Sequence, residues 1–141
     1  MTTPPPQEWP IGRLDHVAIV VPDTEAALAV WRDLLGFPLK FSQVVQEGAV
    51  RLTHLELGNT DLQLVEPLVP DHPLQAWLAE RGVALHHLCF EVDDVDGAFT
   101  ADSPYPIAAV GDCPHEGTQG RQAIFLDNAD TSVVIELSTA P

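Results

Sequence analysis

Positive charge is scarce in this chain. Six Lys and Arg stand against 21 Asp and Glu in 141 residues, a formal net charge of −15. So acidic a surface lacks the cationic face that nucleic acid requires, and it disfavours adsorption to anionic membranes. Cysteine is equally thin. Cys89 and Cys113 are too few for a disulfide scaffold, and Cys89, inside an apolar strand, reads as a small core residue. No stretch approaches the roughly 18 uninterrupted apolar residues of a membrane span. The opening MTTPPPQEWP has no basic-then-apolar run of a signal peptide, so a cytoplasmic location is expected. Its prolines favour a flexible tail over residues 1–12. Hydrophobic residues nevertheless make up 45% of the chain, enough for one globular domain over 13–141 without covalent staples.

What is present is a repeat. LDHVAIVVPDTEAAL, from Leu14, and LHHLCFEVDDVDGAF, from Leu85, each read as an apolar strand with a histidine at its third position, an acidic turn and a helix start. The offset from His16 to His87 is 71 residues, about half the chain, as in a duplicated module. Each copy closes on a strand with one polar side chain among apolar neighbours, Gln63 in TDLQLVEP and Glu136 in SVVIELS. The intervals from histidine to closing residue are 47 and 49 residues.

The elements repeat in the same order. Leu14 to Val21 is a strand; Asp23 caps a helix whose apolar face holds Ala26, Leu28, Val30, Trp31, Leu34 and Leu35 and which Gly36 ends. Phe37 to Val45, Val50 to Leu57 and Leu62 to Val65 are strands, with Gly58-Asn59 as a turn. A linker helix falls within 71–82. The second copy starts at Ala84, has a weaker helix opened by Asp93 and interrupted by Gly97, and takes its strands from Ile107–Val110, Ala123–Leu126 and Val133–Leu137. The polar stretch Gly111–Gly120 is expected as a long functional loop. The fold class predicted is α+β: two βαβββ modules, 13–67 and 83–138, forming a curved, open, barrel-like sheet of eight strands.

A pseudo-twofold axis relating these modules would gather His16, Gln63, His87 and Glu136. Alternate residues of a strand share a face, and a polar group on an apolar strand costs free energy unless paired or bound. A buried His–Glu hydrogen-bond network is the plain alternative. Two imidazoles with a carboxylate and an amide oxygen suit one divalent ion such as Co, Ni, Mn or Zn. Four protein ligands leave open positions, so the site would be catalytic. The repeat chooses His87 over His86, which aligns with Asp15. His54, His72 and His115 have no repeat partner and are expected as surface or loop residues.

These motifs resemble the vicinal-oxygen-chelate superfamily (glyoxalases, bleomycin-resistance proteins, extradiol dioxygenases). LELGNTDLQLVEPL and DHPLQAWLAERGVALHHLCFEVDDVDGAF look most like its methylmalonyl-CoA epimerases. The resemblance implies the metal ligands His16, Gln63, His87 and Glu136. It places a catalytic base on Glu47, in Glu47-Gly48-Ala49-Val50, with Glu136 as the second acid–base group. It implies removal and return of a proton α to a thioester carbonyl, a small-molecule thioester substrate and a homodimer. Arg51 and Arg121 are candidates for holding anionic substrate groups, against the ordinary reading as solvated charges. Gly117-Thr118-Gln119-Gly120-Arg121 and Asp127-Asn128 depart from the epimerase pattern where substrate would be enclosed. Alternatives are a glyoxalase I-like enzyme on a glutathione hemithioacetal, and a metal-free small-molecule binding or resistance protein. Gln63 as a fourth ligand argues against a His₂Glu iron dioxygenase.

Overall fold

The computed structural model describes residues 10–105, 107–127 and 133–139. The first module runs β1 (Leu14–Val20), α1 (Thr24–Leu28), β2 (Leu39–Val45), β3 (Val50–Glu56) and β4 (Asp61–Pro67). Helix α2 (Pro73–Arg81) links it to the second, which contains β5 (Ala84–Val92), β6 (His115–Glu116), β7 (Gln122–Leu126) and β8 (Val134–Thr139). All eight strands form one mixed sheet in the order β2-β3-β4-β1-β5-β8-β7-β6. Each half of that order repeats the other about the central antiparallel β1–β5 pair, and β1–β4 and β5–β8 are the parallel pairs. The curled half-barrel expected from the repeat is therefore the fold adopted.

Alternation of apolar residues along the strands places the core. Leu52 and Val65 pack with Val20 and Val45 on one side of the first half-sheet, where Leu74 and Trp77 of α2 close over them. Leu55, Leu62 and Leu64 pack on the other side with Leu28, Trp31 and Phe37. The second module centres on Ile124, Leu126 and Leu137 with Val92, Val95 and Tyr105. Because a strand sends successive side chains to opposite faces, β3 and β4 are buried on both.

Several local expectations are corrected. Asp23 caps α1 as expected, accepting from the N–H groups of Glu25 and Ala26. The helix then widens into a π-helical turn over Ala29–Leu34, marked by Leu35 N–H bonding the Val30 carbonyl. That extra residue rotates the apolar face, so Trp31 meets Phe37 at 6.2 Å while Val30, Leu34 and Leu35 stay exposed. The segment opened by Asp93 is only a 3₁₀ turn, Asp96–Phe99. Ile107–Val110 is not a strand: it touches β7 through the Ala109–Leu126 bridge. The paired edge is β6, inside the stretch expected to be loop, followed by a 3₁₀ turn at Thr118–Gly120. Edge pairing uses backbone groups and needs no apolar pattern, which is why hydropathy favoured the wrong segment. Of the expected N-terminal tail, residues 1–9 lie outside the described residues, and Asn128 does too. Ile11 packs against the second core, and Gly12 bonds the Glu91 carbonyl at 2.7 Å. Among the described residues no helix is long and apolar enough to cross a membrane.

Candidate metal centre and active site

Strand register gathers the site at the pseudo-twofold axis. On one side of the axis Gln63 pairs with Ala18, which pairs with His87. On the other, Glu136 pairs with Cys89, which pairs with His16. The two ladders are the same arrangement displaced by the repeat, and the small residues Ala18 and Cys89, both fully buried, occupy its centre.

Three ligand atoms converge. His16 Nε2 lies 3.2 Å from His87 Nε2 and 3.4 Å from Glu136 Oε1, and His87 Nε2 lies 3.2 Å from that same oxygen. Atoms about 2.0–2.1 Å from a common ion have such separations when their angles at it are roughly 100°. The opposite atom of each residue is already taken. Asp15 Oδ2 accepts from His16 Nδ1 at 2.7 Å, His86 Nδ1 is 2.7 Å from His87 Nδ1, and His115 Nε2 donates to Glu136 Oε2 at 2.9 Å. An outer layer that occupies the outward atoms and leaves the inward ones converging is what a metal site requires.

Electrostatics agree. Burial alone would raise the Glu136 carboxyl, yet neighbouring His87 and hydrogen bonds from His115, His16 and His87 hold it well below the usual carboxylate range. Burial alone would lower His16, yet hydrogen bonds to Asp15 and Glu136, with their charges, raise it above 6.5. The triangle therefore favours positive charge at its centre, the charge that a divalent cation would supply. The donor set fits such an ion. His16, His87 and Glu136 are the residues that would hold it.

Gln63 lines the same cavity and is 3% exposed. Its Nε2 lies 3.1 Å from His54 Nε2 and donates to Thr118 Oγ1 at 3.0 Å. Glu47 sits apart, exposed on the β2–β3 turn, where Gln46, Glu47 and Gly48 all have positive φ. Its neighbour Gln46, rather than Glu47, is part of the cavity wall, and it reaches His72 Nε2 at 3.1 Å. Arg51 is half-buried on β3 opposite Glu66 and away from the cavity.

Arg121 is no solvated charge. Its side chain is 10% exposed, it lines the cavity, and its guanidinium donates to Asp15 Oδ1 at 2.9 Å. Burial would raise the Asp15 carboxyl, but hydrogen bonds from His16 and Arg121 hold it well below the usual range. Arg121, Asp15 and His16 thus form a buried chain leading to the ligand triangle.

His54 and His115, expected as surface or loop residues, are strand residues at the site, and His72, in the loop before α2 as expected, lines the same cavity as His115. His54 is fully buried, bonded to Asp61 Oδ2 through Nδ1 at 2.8 Å, and pushed down to about 4 by that burial. His115 holds Glu136, and His72 caps α2 by accepting from Leu74 N–H. Five of the six histidines line one cavity of about 230 Å³, with His54 directly behind, 5.3 Å from the His16 ring. The repeat missed them because its position 54 is histidine and the matching 125 is phenylalanine. An excess of histidine in strands was the available signal.

A family model described as the Glyoxalase/Bleomycin resistance protein/Dioxygenase superfamily matches residues 15–125. The mitochondrial methylmalonyl-CoA epimerase of Mus musculus is 35% identical over 134 residues, covering 94% of this chain and 75% of that protein. The ethylmalonyl-CoA/methylmalonyl-CoA epimerase of Cereibacter sphaeroides is 34% identical, covering 85% and 91%. A Streptomyces coelicolor methylmalonyl-CoA epimerase variant in complex with 2-nitronate-propionyl-CoA superposes with a TM-score of 0.80 at 31% identity, covering 92% of this chain and 95% of that one. Its sheet and the curled half-barrel described above are alike. The chain belongs to the glyoxalase/bleomycin resistance protein/dioxygenase superfamily, as a relative of the methylmalonyl-CoA epimerases.

Proposed function

We propose that the protein is a divalent-metal-dependent epimerase acting on methylmalonyl-CoA or a closely similar thioester. The observation that carries this reading is the convergence of His16 Nε2, His87 Nε2 and Glu136 Oε1 within 3.4 Å on a cavity wall, in a chain 35% identical to a methylmalonyl-CoA epimerase. Gln63 is the fourth proposed ligand. His16, Gln63, His87 and Glu136 would hold a divalent ion, which would supply Lewis acidity where negative charge develops as the α-proton leaves.

The chain's own groups do the rest. A cavity of about 230 Å³ is below the roughly 300–1,000 Å³ of pockets for drug-sized ligands, so it receives the acyl end and leaves the nucleotide outside. Leu52, Val65 and Phe125 on its wall exclude water from the reacting carbon. Glu136 is the proposed acid–base group inside. Glu47, on the exposed turn next to the cavity-lining Gln46, is the proposed base; catalytic groups often close to hydrogen-bond reach only when substrate is bound. A homodimer is part of this proposal, and so is a cytoplasmic setting.

The test is proton exchange. Wild-type protein loaded with Co²⁺ should wash deuterium into methylmalonyl-CoA and interconvert its epimers, and chelator should abolish both. Glu47→Gln should keep the ion and lose exchange by at least about 10²-fold, the usual scale for a general acid–base group. Full exchange in that variant removes Glu47 as base. Turnover of methylglyoxal–glutathione, with none of methylmalonyl-CoA, would replace the epimerase reading by a glyoxalase one.

A further inference from the structure

Both oxygen-bearing residues of the site are held by a histidine stacked on a phenylalanine, one pair from each module. In the first, His54 on β3 lies opposite Gln63 on β4 and stacks on Phe41 of β2 at 4.6 Å and 18°. In the second, His115 on β6 bonds Glu136 and stacks on Phe125 of β7, also at 4.6 Å and 18°. The two pairs have exchanged strands. Histidine is inner and phenylalanine on the edge in one module, and the reverse holds in the other.

The hydrogen bonds have opposite polarity, and chemistry dictates it. An amide nitrogen only donates, so His54 Nε2 must accept from Gln63. Asp61, a carboxylate, takes the Nδ1 proton at 2.8 Å and fixes that tautomer. A carboxylate only accepts, so His115 Nε2 must donate to Glu136 Oε2. Each histidine grips the outward atom of its partner. For Glu136 this leaves Oε1, the oxygen already beside His16 and His87. For Gln63, with Nε2 taken by His54 and Thr118, it leaves the carbonyl oxygen as the end for a cation, since an inverted amide would present N–H to positive charge.

We propose that His54 and His115 are paired positioning residues that set which end of Gln63 and which oxygen of Glu136 faces the ion. The 3₁₀ turn carrying Thr118 takes part. Gln119 N–H bonds Gln43 Oε1 of β2 at 2.8 Å, so the turn reaches from the second module to the first and brings Thr118 onto His54 and Gln63. This inference rests on the metal reading above.

The experiment measures Co²⁺ affinity by chelator competition, together with the visible absorption of the bound ion. Loss of such an outer partner typically weakens an ion 10- to 100-fold, so His54→Phe and His115→Phe should each fall by about that factor and shift the absorption. His115→Gln, which keeps an N–H donor, and His54→Gln, which keeps an acceptor, should recover most of it. The decisive comparison places His54→Phe in a Gln63→Ala background, where it should cause no further loss. Wild-type affinity in His54→Phe overturns the inference, as does an equal loss with and without Gln63, because the histidine would then act on the fold in general. Thermal melts of the same proteins separate misfolding from weakened ligation. A wild-type chain that takes up no divalent ion overturns the metal reading and this inference with it.

Discussion

Replacing Asp15 by Asn perturbs the site with almost no change of shape. The carboxylate accepts twice, from His16 Nδ1 at 2.7 Å and from Arg121 at 2.9 Å, and both it and the guanidinium are at least nine-tenths buried. Asparagine offers one oxygen and one NH₂, so one of the two donors must face another donor. Removing one charge of a buried pair costs about 3–5 kcal/mol, because the remaining charge is left without its counterion. The retained neutral hydrogen bond places this variant near the lower end, about 3 kcal/mol. An unfolding entropy of about 2.1 cal/mol/K per residue gives roughly 0.3 kcal/mol/K for a chain of this length, so the Tm should fall by about 10 °C. His16, freed to turn or change tautomer, should bind a divalent ion 10- to 100-fold more weakly. Differential scanning calorimetry and chelator competition measure the two effects separately. Adding Arg121→Met should restore much of the stability, since no buried charge then lacks a partner, without restoring metal affinity. A variant within about 0.5 kcal/mol of wild type, with unchanged ion affinity, would refute the buried-chain account of His16. The pH dependence has a definite sign. Asp15 is depressed in the folded state, so its contribution is complete above its ordinary value of 3.8 and is lost as pH falls through the lower folded value. Wild type should therefore lose more stability on acidification than Asp15→Asn.

Other outcomes follow from the same contacts. Saturation with a divalent ion at about 100 times its Kd should stabilise the chain by about 2.7 kcal/mol, reversed by chelator and measured as a Tm shift. Since His16 is raised above 6.5, ion binding near neutral pH should displace its proton, and calorimetric enthalpies should vary with buffer ionisation enthalpy; no such variation would show His16 already neutral. Leu55→Ala removes a fully buried side chain and should cost about 2–5 kcal/mol in denaturant unfolding. Leu34→Ala, on a residue 79% exposed, should change it by less than about 0.5 kcal/mol.

Much of the site was legible because duplication and strand parity are both one-dimensional. A 71-residue offset aligns His16 with His87, the near-equal intervals of 47 and 49 residues align Gln63 with Glu136, and a two-residue period places each pair on matching faces. Caps and turns are equally local, as Asp23 and Gly36 show. The roles of His54, His115 and Asp15, and the bond from Arg121 to Asp15, were hidden because they depend on cross-strand partners. His54 meets Gln63 only through the β3–β4 register, and Arg121 reaches Asp15 across 106 residues. The π-helical turn after α1 and the pairing of β6 arise from backbone fit, which hydropathy does not encode.

The sequence by itself determined that the chain is two copies of one module and that four polar residues belong to a common site, since covalent spacing and strand periodicity carry that information. Only the tertiary structure decided which atoms converge and what holds them. Folding the two halves about the β1–β5 pair turned His16, His87 and Glu136 inward, gave each an outer partner, and put Glu47 on an exposed turn away from the cavity wall. Position along a chain fixes which residues are neighbours in a repeat, whereas hydrogen-bond polarity and burial are properties of groups that meet only in the folded state.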